Sequence, residues 1–363
     1  MGLQLTSVPI IRSGRRAFGF DSSKRGQVMA STVANHKGRS TAGRAAAMVQ
    51  ALFGAPMVPV LLAAVLLMAL IVPGFLSGAN LRNMSLLFGP LLISALAITF
   101  VFLIGGIDLS IGSTLSLATV AAAMMMRDTG SVLLGAVAGV AVGAAVGAVN
   151  GFAIAVLRFP PFVHTFGMLL TLRAVAMLLT SGVSVGQLPI EVLQIGRGVW
   201  LGVPNLLWLA MVVFLFSHLL LARTRLGREM FLVGSNERAA LFNGLRVQWV
   251  RFAAYLLCGT FSGLAGVAVV LRLGSGGPVL GDNVLLMAIA AAVLGGTSII
   301  GGDGSAFKTL TGVAVIVLLD KGLNLIGLSF YDQAIVLGTV IVLGSAFSIW
   351  LHKRVFSERG SRG

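Results

Sequence analysis

Apolar residues run along this chain in long, nearly unbroken blocks, and the polar residues collect between the blocks. The blocks cover residues 55–73, 85–104, 110–126, 131–156, 161–181, 203–222, 251–272, 283–299, 307–326 and 332–351. A helix of about 20 apolar residues spans the roughly 30 Å hydrocarbon core of a bilayer. The pattern predicts an all-α integral membrane protein, a polytopic bundle of about ten transmembrane helices. Some breaks are only glycine turns, as at Gly105–Gly106 and Gly301–Gly302. The block 110–126 is short and rich in Ser, Thr and Gly. Some helices are therefore expected to be broken or re-entrant.

Composition strengthens this picture. Of the 363 residues 57% are hydrophobic and 10% charged, with mean hydropathy +0.99, where a soluble domain carries about 25% charged residues. The 47 glycines suit helices that approach closely through small side chains. The net charge of +15 does not indicate nucleic acid, because the basic residues flank the apolar blocks. With ten alternating spans, the main basic clusters fall on one side. These are residues 1–54, an arm with the single acid Asp21, the loop 223–250, and the short tail 352–363. Both termini are thus expected in the cytoplasm, on either side of a transmembrane domain at 55–351, with the arm drawn to anionic membrane lipid.

Catalytic and metal chemistry find little support. Cys258 is the single cysteine, so it reads as packing. His36, His164, His218 and His352 are scattered and form no metal-ligand pattern. A P-loop needs Gly-Lys-Ser/Thr to hold phosphates. None of Lys24, Lys37, Lys308, Lys321 and Lys353 follows a glycine. The chain reads as no enzyme in itself.

The polar stretch 227–247, GREMFLVGSNERAALFNGLRV, is a different kind of element. Asn236 suits an N-cap, Glu237 puts negative charge at a helix start, and Gly244 suits the C′ position. The two turns between them are too short to persist alone in water. On the residues alone two readings stand: a loop folded back on its own bundle, or a docking helix for a cytoplasmic partner. Residues 105–113, GGIDLSIGS, also admit two readings. One is a turn followed by a helix capped by Ser110 or Ser113; the other is a substrate contact through Asp108.

Four segments resemble one family, the permeases of ABC importers that carry ribose, xylose, galactose and related sugars. Gly227, Arg228, Gly234, Asn236, Ala239, Ala240 and Gly244 match its coupling-loop pattern, with Val233 where Ala is usual. GGIDLSIGS is similar to its GGIDLS-type signature. Residues 160–182 and 288–313, with 322–333, resemble further segments in the same order. His164 and Asp320-Lys321 depart from the family pattern.

The resemblance implies a permease that moves a monosaccharide across the bacterial inner membrane by alternating access. It implies coupling to a cytoplasmic ATPase through Gly227, Arg228, Gly234, Asn236, Glu237, Ala239, Ala240 and Gly244. ATP and Mg would be bound by that partner, and no cofactor by this chain. A periplasmic sugar-binding protein and a second permease copy are the other implied partners. Asp108, Ser110, Thr165 and Asn324 are the candidate pathway residues. Polyols, nucleosides and branched-chain amino acids are alternative cargoes. An ion-coupled secondary transporter is the rival class, motivated by Asp108, His164, Arg173, Asp320 and Lys321. In that rival Arg173 would pair with Asp320, while Asp320 and Lys321, being consecutive, would not face each other. A weak internal echo links 105–113 to 295–305, as a duplicated bundle would.

Overall fold

A computed structural model describes residues 57–329 and, beyond them, 331–333, 335, 336, 338, 339 and 342. The arm 1–54, the tail 352–363 and most of the tenth block lie outside the described residues. The helices are α1 (Met57–Ile71), α2 (Gly78–Leu103), α3 (Ile111–Thr129), α4 (Val132–Ala155), α5 (Pro161–Thr180) and α6 (Ile190–Arg197). After a two-strand hairpin, β1 (Val199–Trp200) and β2 (Val203–Pro204), come α7 (Asn205–Arg223), α8 (Arg225–Ser235), α9 (Glu237–Phe242) and α10 (Val247–Leu273). The last full helices are α11 (Asp282–Leu294) and α12 (Ala306–Leu325). The described positions from 331 onward in the tenth block are helical.

Each of the first nine blocks thus holds a helix. Five of these, α2, α4, α5, α7 and α10, are long and apolar enough to cross a membrane. The apolar pattern does not foresee α6 or the hairpin, which are short and mixed in polarity.

The antiparallel pair α2 and α10 forms the centre. Residues 89–103 of α2 are buried without a gap, so this helix has no lipid-facing stripe there. Against α10 lies α4, whose glycines recur every fourth residue at 135, 139, 143, 147 and 151. A Cβ on Gly147 would stand 2.6 Å from the Tyr255 carbonyl, and one on Gly263 would stand 2.7 Å from that of Gly139. Only backbone-to-backbone contact fits here, which small residues at four-residue spacing permit.

Two passages break the helical pattern inside the bundle. After α2 ends at Leu103, residues 104–110 run non-helically before α3 begins. Gly105 takes φ 69° at this exit, a backbone that favours glycine. After α10 ends at Leu273, residues 274–281 run back beside α3. Their amides bond to its hydroxyls: Gly277 N donates to Thr119 Oγ1 at 3.1 Å and Gly281 N to Ser116 Oγ at 2.8 Å. These bonds satisfy backbone that would otherwise be orphaned in an apolar interior.

The structure corrects several expectations. The block 283–299 is not one span, because α11 has 13 residues, about 20 Å at 1.5 Å per residue. It starts inside the bundle where Gly281 packs on Gly112. The block 110–126 is a regular helix, and the break precedes it. Residues 295–305 form a partly buried turn between α11 and α12, and the other non-helical passage inside the bundle is 274–281. Arg173 pairs with Asp282 at 3.1 Å, not with Asp320. Asp320 meets Lys321 at 3.2 Å despite their adjacency.

Candidate functional site

At one end of the bundle, α8 and α9 form a compact cap. Thr224 starts α8 by accepting from Gly227 N at 3.1 Å. Gly227, Met230 and Val233 face inward at helical spacing, and Arg225 pairs with Glu229 one turn on. As the sequence predicts, α9 is a short capped helix. Asn236 Oδ1 accepts from Ala239 N at 3.0 Å, and Gly244 closes the element at φ 75°. Glu237 bonds Arg251 of α10 at 2.7 Å, which ties α9 to a central helix.

The residues expected to couple divide by direction. Gly227, Gly234 and Ala240 turn into the chain's own bundle. A Cβ on Gly234 would collide with the Leu103 carbonyl and lie 2.6 Å from Gly302 N. Arg228, Asn236, Ala239 and Gly244 face outward. Beside them Leu241 and Phe242 are 54% and 92% exposed. These two side chains form an apolar tip that the described residues do not cover. Of the two sequence readings, the structure shows the first: α8–α9 folds back on its own bundle through small residues, with Leu241 and Phe242 left outward.

The inward face leads to the first interrupted passage. Gly302 N donates to the Leu103 carbonyl at 3.0 Å, and Gly301 packs on Gly105. The end of α8, the 295–305 turn and the entry to 104–110 therefore meet at one point. Glycines at all three make the contact rigid, with no flexible side chain between backbones.

Three residues past Gly105, Asp108 is buried in a polar cluster. Its Oδ1 accepts from Ser110 N at 2.9 Å and Ser110 Oγ at 2.6 Å. Asn150 of α4 donates to Ser110 Oγ at 2.9 Å and more loosely to Asp108 Oδ2 at 3.5 Å. With its Nδ2 so engaged, Asn150 accepts through Oδ1 from Nε2 of His164, 3.1 Å away on α5. Cys258 Sγ lies 3.6 Å from Asp108 Oδ2, so this thiol takes part in a polar network as well as packing. Tyr255 donates to the Ile107 carbonyl at 3.1 Å. Ser110, Asn150 and Cys258 converge on the carboxylate and His164 joins them through Asn150, an arrangement in which successive hydrogen bonds polarise one another. The cluster latches 104–110 onto α4, α5 and α10.

Of the four pathway candidates, Asp108 and Ser110 share this cluster. The Ser110 hydroxyl donates to Asp108 rather than capping α3. Thr165 is buried and bonds its own helix at the Pro161 carbonyl, 2.8 Å away. Asn324 lies at the opposite end, in a recess with Arg82, Arg197, Arg272 and Lys321. Sequence reasoning missed Asn150 and Tyr255, and took His164 as a departure from the family pattern and as a candidate relay group, not as a partner of Asn150. A lone Asn in the apolar run GAVNGFAIAV was the available signal.

Comparison with known proteins gives the family. Residues 80–344 match the family described as branched-chain amino acid transport system / permease component. The ribose import permease protein RbsC of Escherichia coli strain K12 is 39% identical over 287 residues, covering 78% of this chain and 89% of that protein. Its counterpart in Bacillus subtilis strain 168 is 37% identical, covering 77% and 87%. The L-arabinose transport system permease protein AraH of E. coli K12 is 31% identical, covering 78% and 87%. No solved structure matches the chain significantly. The chain belongs to this permease family, among its ABC sugar-importer members.

Proposed function

We propose that the chain is the membrane-spanning subunit of a bacterial inner-membrane ABC importer for a monosaccharide of the ribose or arabinose kind. Relatives carrying those names across most of their length support the cargo class. Two copies form the pathway, a periplasmic binding protein delivers the sugar, and a separate ATPase drives alternating access. The α8–α9 end faces the cytoplasm, together with both termini. Arg158, Arg223, Arg225, Arg228, Arg238, Arg246 and Arg251 lie in the segments at this end, in accord with the positive-inside rule.

The carrying observation is the wedge of Gly234 against Leu103 directly behind the exposed tip of α9. An ATPase that grips Leu241 and Phe242 displaces α8, and α8 cannot move without moving the 104–110 passage. A neutral sugar is held by hydroxyl, amide and paired charged groups, so it needs no net charge in the path. The five groups that motivated an ion-coupled transporter form no single relay, since Arg173–Asp282 and Asp320–Lys321 lie apart from Asp108 and His164.

Because Ala240 is turned inward, the outward Phe242 is the cleaner probe. Phe242→Asp is expected to insert normally, to lose the ATPase on gentle purification and to lose uptake by at least tenfold. Full uptake with the ATPase retained overturns the docking site. Uptake that collapses when the proton gradient is dissipated at constant ATP overturns the importer reading.

A further inference from the structure

The second interrupted passage carries a feature that the coupling path does not use. Asp282 is the first residue of α11, and its Oδ2 lies 3.1 Å from Nη2 of Arg173 on α5. The pair joins helices that are distant in sequence. Its depth follows from both. Arg173 is twelve residues from the start of α5, and Asp282 twelve from the end of α11, each about 18 Å at 1.5 Å per residue. Both measurements run from the α8–α9 end: Pro161 lines a groove with Glu237 and Trp249, and the turn after α11 bonds Leu103. In a hydrocarbon core of about 30 Å the pair sits near the middle.

At that depth its exposure is informative. The side chains are 44% and 38% exposed, in contrast to the sealed Asp108. A half-open ion pair facing lipid is expensive, and intramembrane charges face a water-filled cavity or the bundle interior. Its surroundings are mixed in the same way. Asn283, next along α11, is exposed, and so are the apolar Leu170 and Leu286 one turn from the two partners.

We infer that Arg173 and Asp282 line the cargo path at mid-depth and are polar contacts for the sugar between its outer and inner openings. A carboxylate accepts from sugar hydroxyls and a guanidinium donates to them, and the two neutralise each other while no cargo is present. The second permease copy supplies the same pair across the path. This inference rests on the importer reading for its cargo, and on geometry alone for the wet face.

Thiol chemistry separates the two. The buried Cys258 gives an unreactive background. Asn283→Cys and, as a control on the apolar outer face of α4, Val137→Cys are made in the full chain. Each is treated in open membrane fragments with a charged, water-soluble methanethiosulfonate. Asn283→Cys is expected to react at least tenfold faster than Val137→Cys, whatever the cargo. Equal, slow reaction overturns the wet face even if the chain proves to be a sugar importer. Uptake of labelled ribose and arabinose then reads the contact. Arg173→Gln and Asp282→Asn are expected to lose at least tenfold in uptake with the ATPase still bound and hydrolysing. The double exchange R173D/D282R separates contact from structure. It is expected to assemble like the parent but to stay defective in uptake. Parental uptake in the exchanged chain reduces the pair to a structural tie and overturns the proposal.

Discussion

The two interrupted passages, 104–110 between α2 and α3 and 274–281 between α10 and α11, use one backbone device for opposite purposes. Each follows one of the two central antiparallel helices, each runs non-helically inside the bundle, and each ends in a helix that starts there with an aspartate close by. Asp108 is enclosed and receives bonds from Ser110, Asn150 and Cys258. Asp282 is half open and has Arg173 beside it. A carboxylate held by neutral donors in a closed site can fix a backbone. One paired with a guanidinium at an open face can exchange partners with a solute. The first passage is therefore read as transmission and the second as path.

The sharpest way to break this comparison is to remove the sealed carboxylate. Asp108→Leu leaves Ser110 N and Ser110 Oγ without their acceptor in a closed space and removes the looser contacts of Asn150 and Cys258. Each buried unsatisfied donor costs about 1–3 kcal/mol. A clear fall in Tm of the purified chain and poor recovery from membranes are expected. An unchanged Tm would show that the cluster holds nothing in place.

A smaller effect is expected at the joint that feeds this passage. Gly234→Val pushes a branched side chain onto the Leu103 carbonyl and Gly302 N, both backbone atoms that cannot rotate away. Overpacking of this kind costs about 1–3 kcal/mol. The importer is expected to keep its ATPase and hydrolyse ATP, while sugar uptake falls by at least tenfold. Coupled uptake at the parental ratio of sugar to ATP would remove Gly234 from the transmission path.

The smallest change in stability belongs to the open passage. Partly exposed ion pairs are worth about 0–1 kcal/mol. Asp282→Asn is expected to leave Tm nearly as it was although transport is lost. A fall as large as that of Asp108→Leu would make the two passages alike and dissolve the comparison.

Much of this was legible in the residues, for local reasons. Length and hydropathy locate the helices, because each must satisfy its own backbone in lipid. The α9 cap was readable from Asn236 and Gly244, since capping needs only neighbours three or four positions away. The packing direction of Ala240 was not, because a two-turn helix has no periodicity long enough to name its inner face. Asp108 stood out as a charge beside an apolar block, but its partners Asn150, His164 and Cys258 arrive from three other helices.

The sequence by itself determined the class of protein, the places of most of its described helices, the capped polar element and the family. All of these are written in composition, in spacing over a turn or two, or in contiguous motifs. Only the tertiary structure decided that α11 starts mid-bundle, that residues 274–281 run non-helically inside the bundle, and that Arg173 meets Asp282. The GSGGPVLGD run reads as an ordinary turn, and a turn on the surface and one folded against α3 have the same local chemistry. What distinguishes them is the set of Thr119 and Ser116 hydroxyls more than 150 positions away, which only the packed bundle brings within bonding distance.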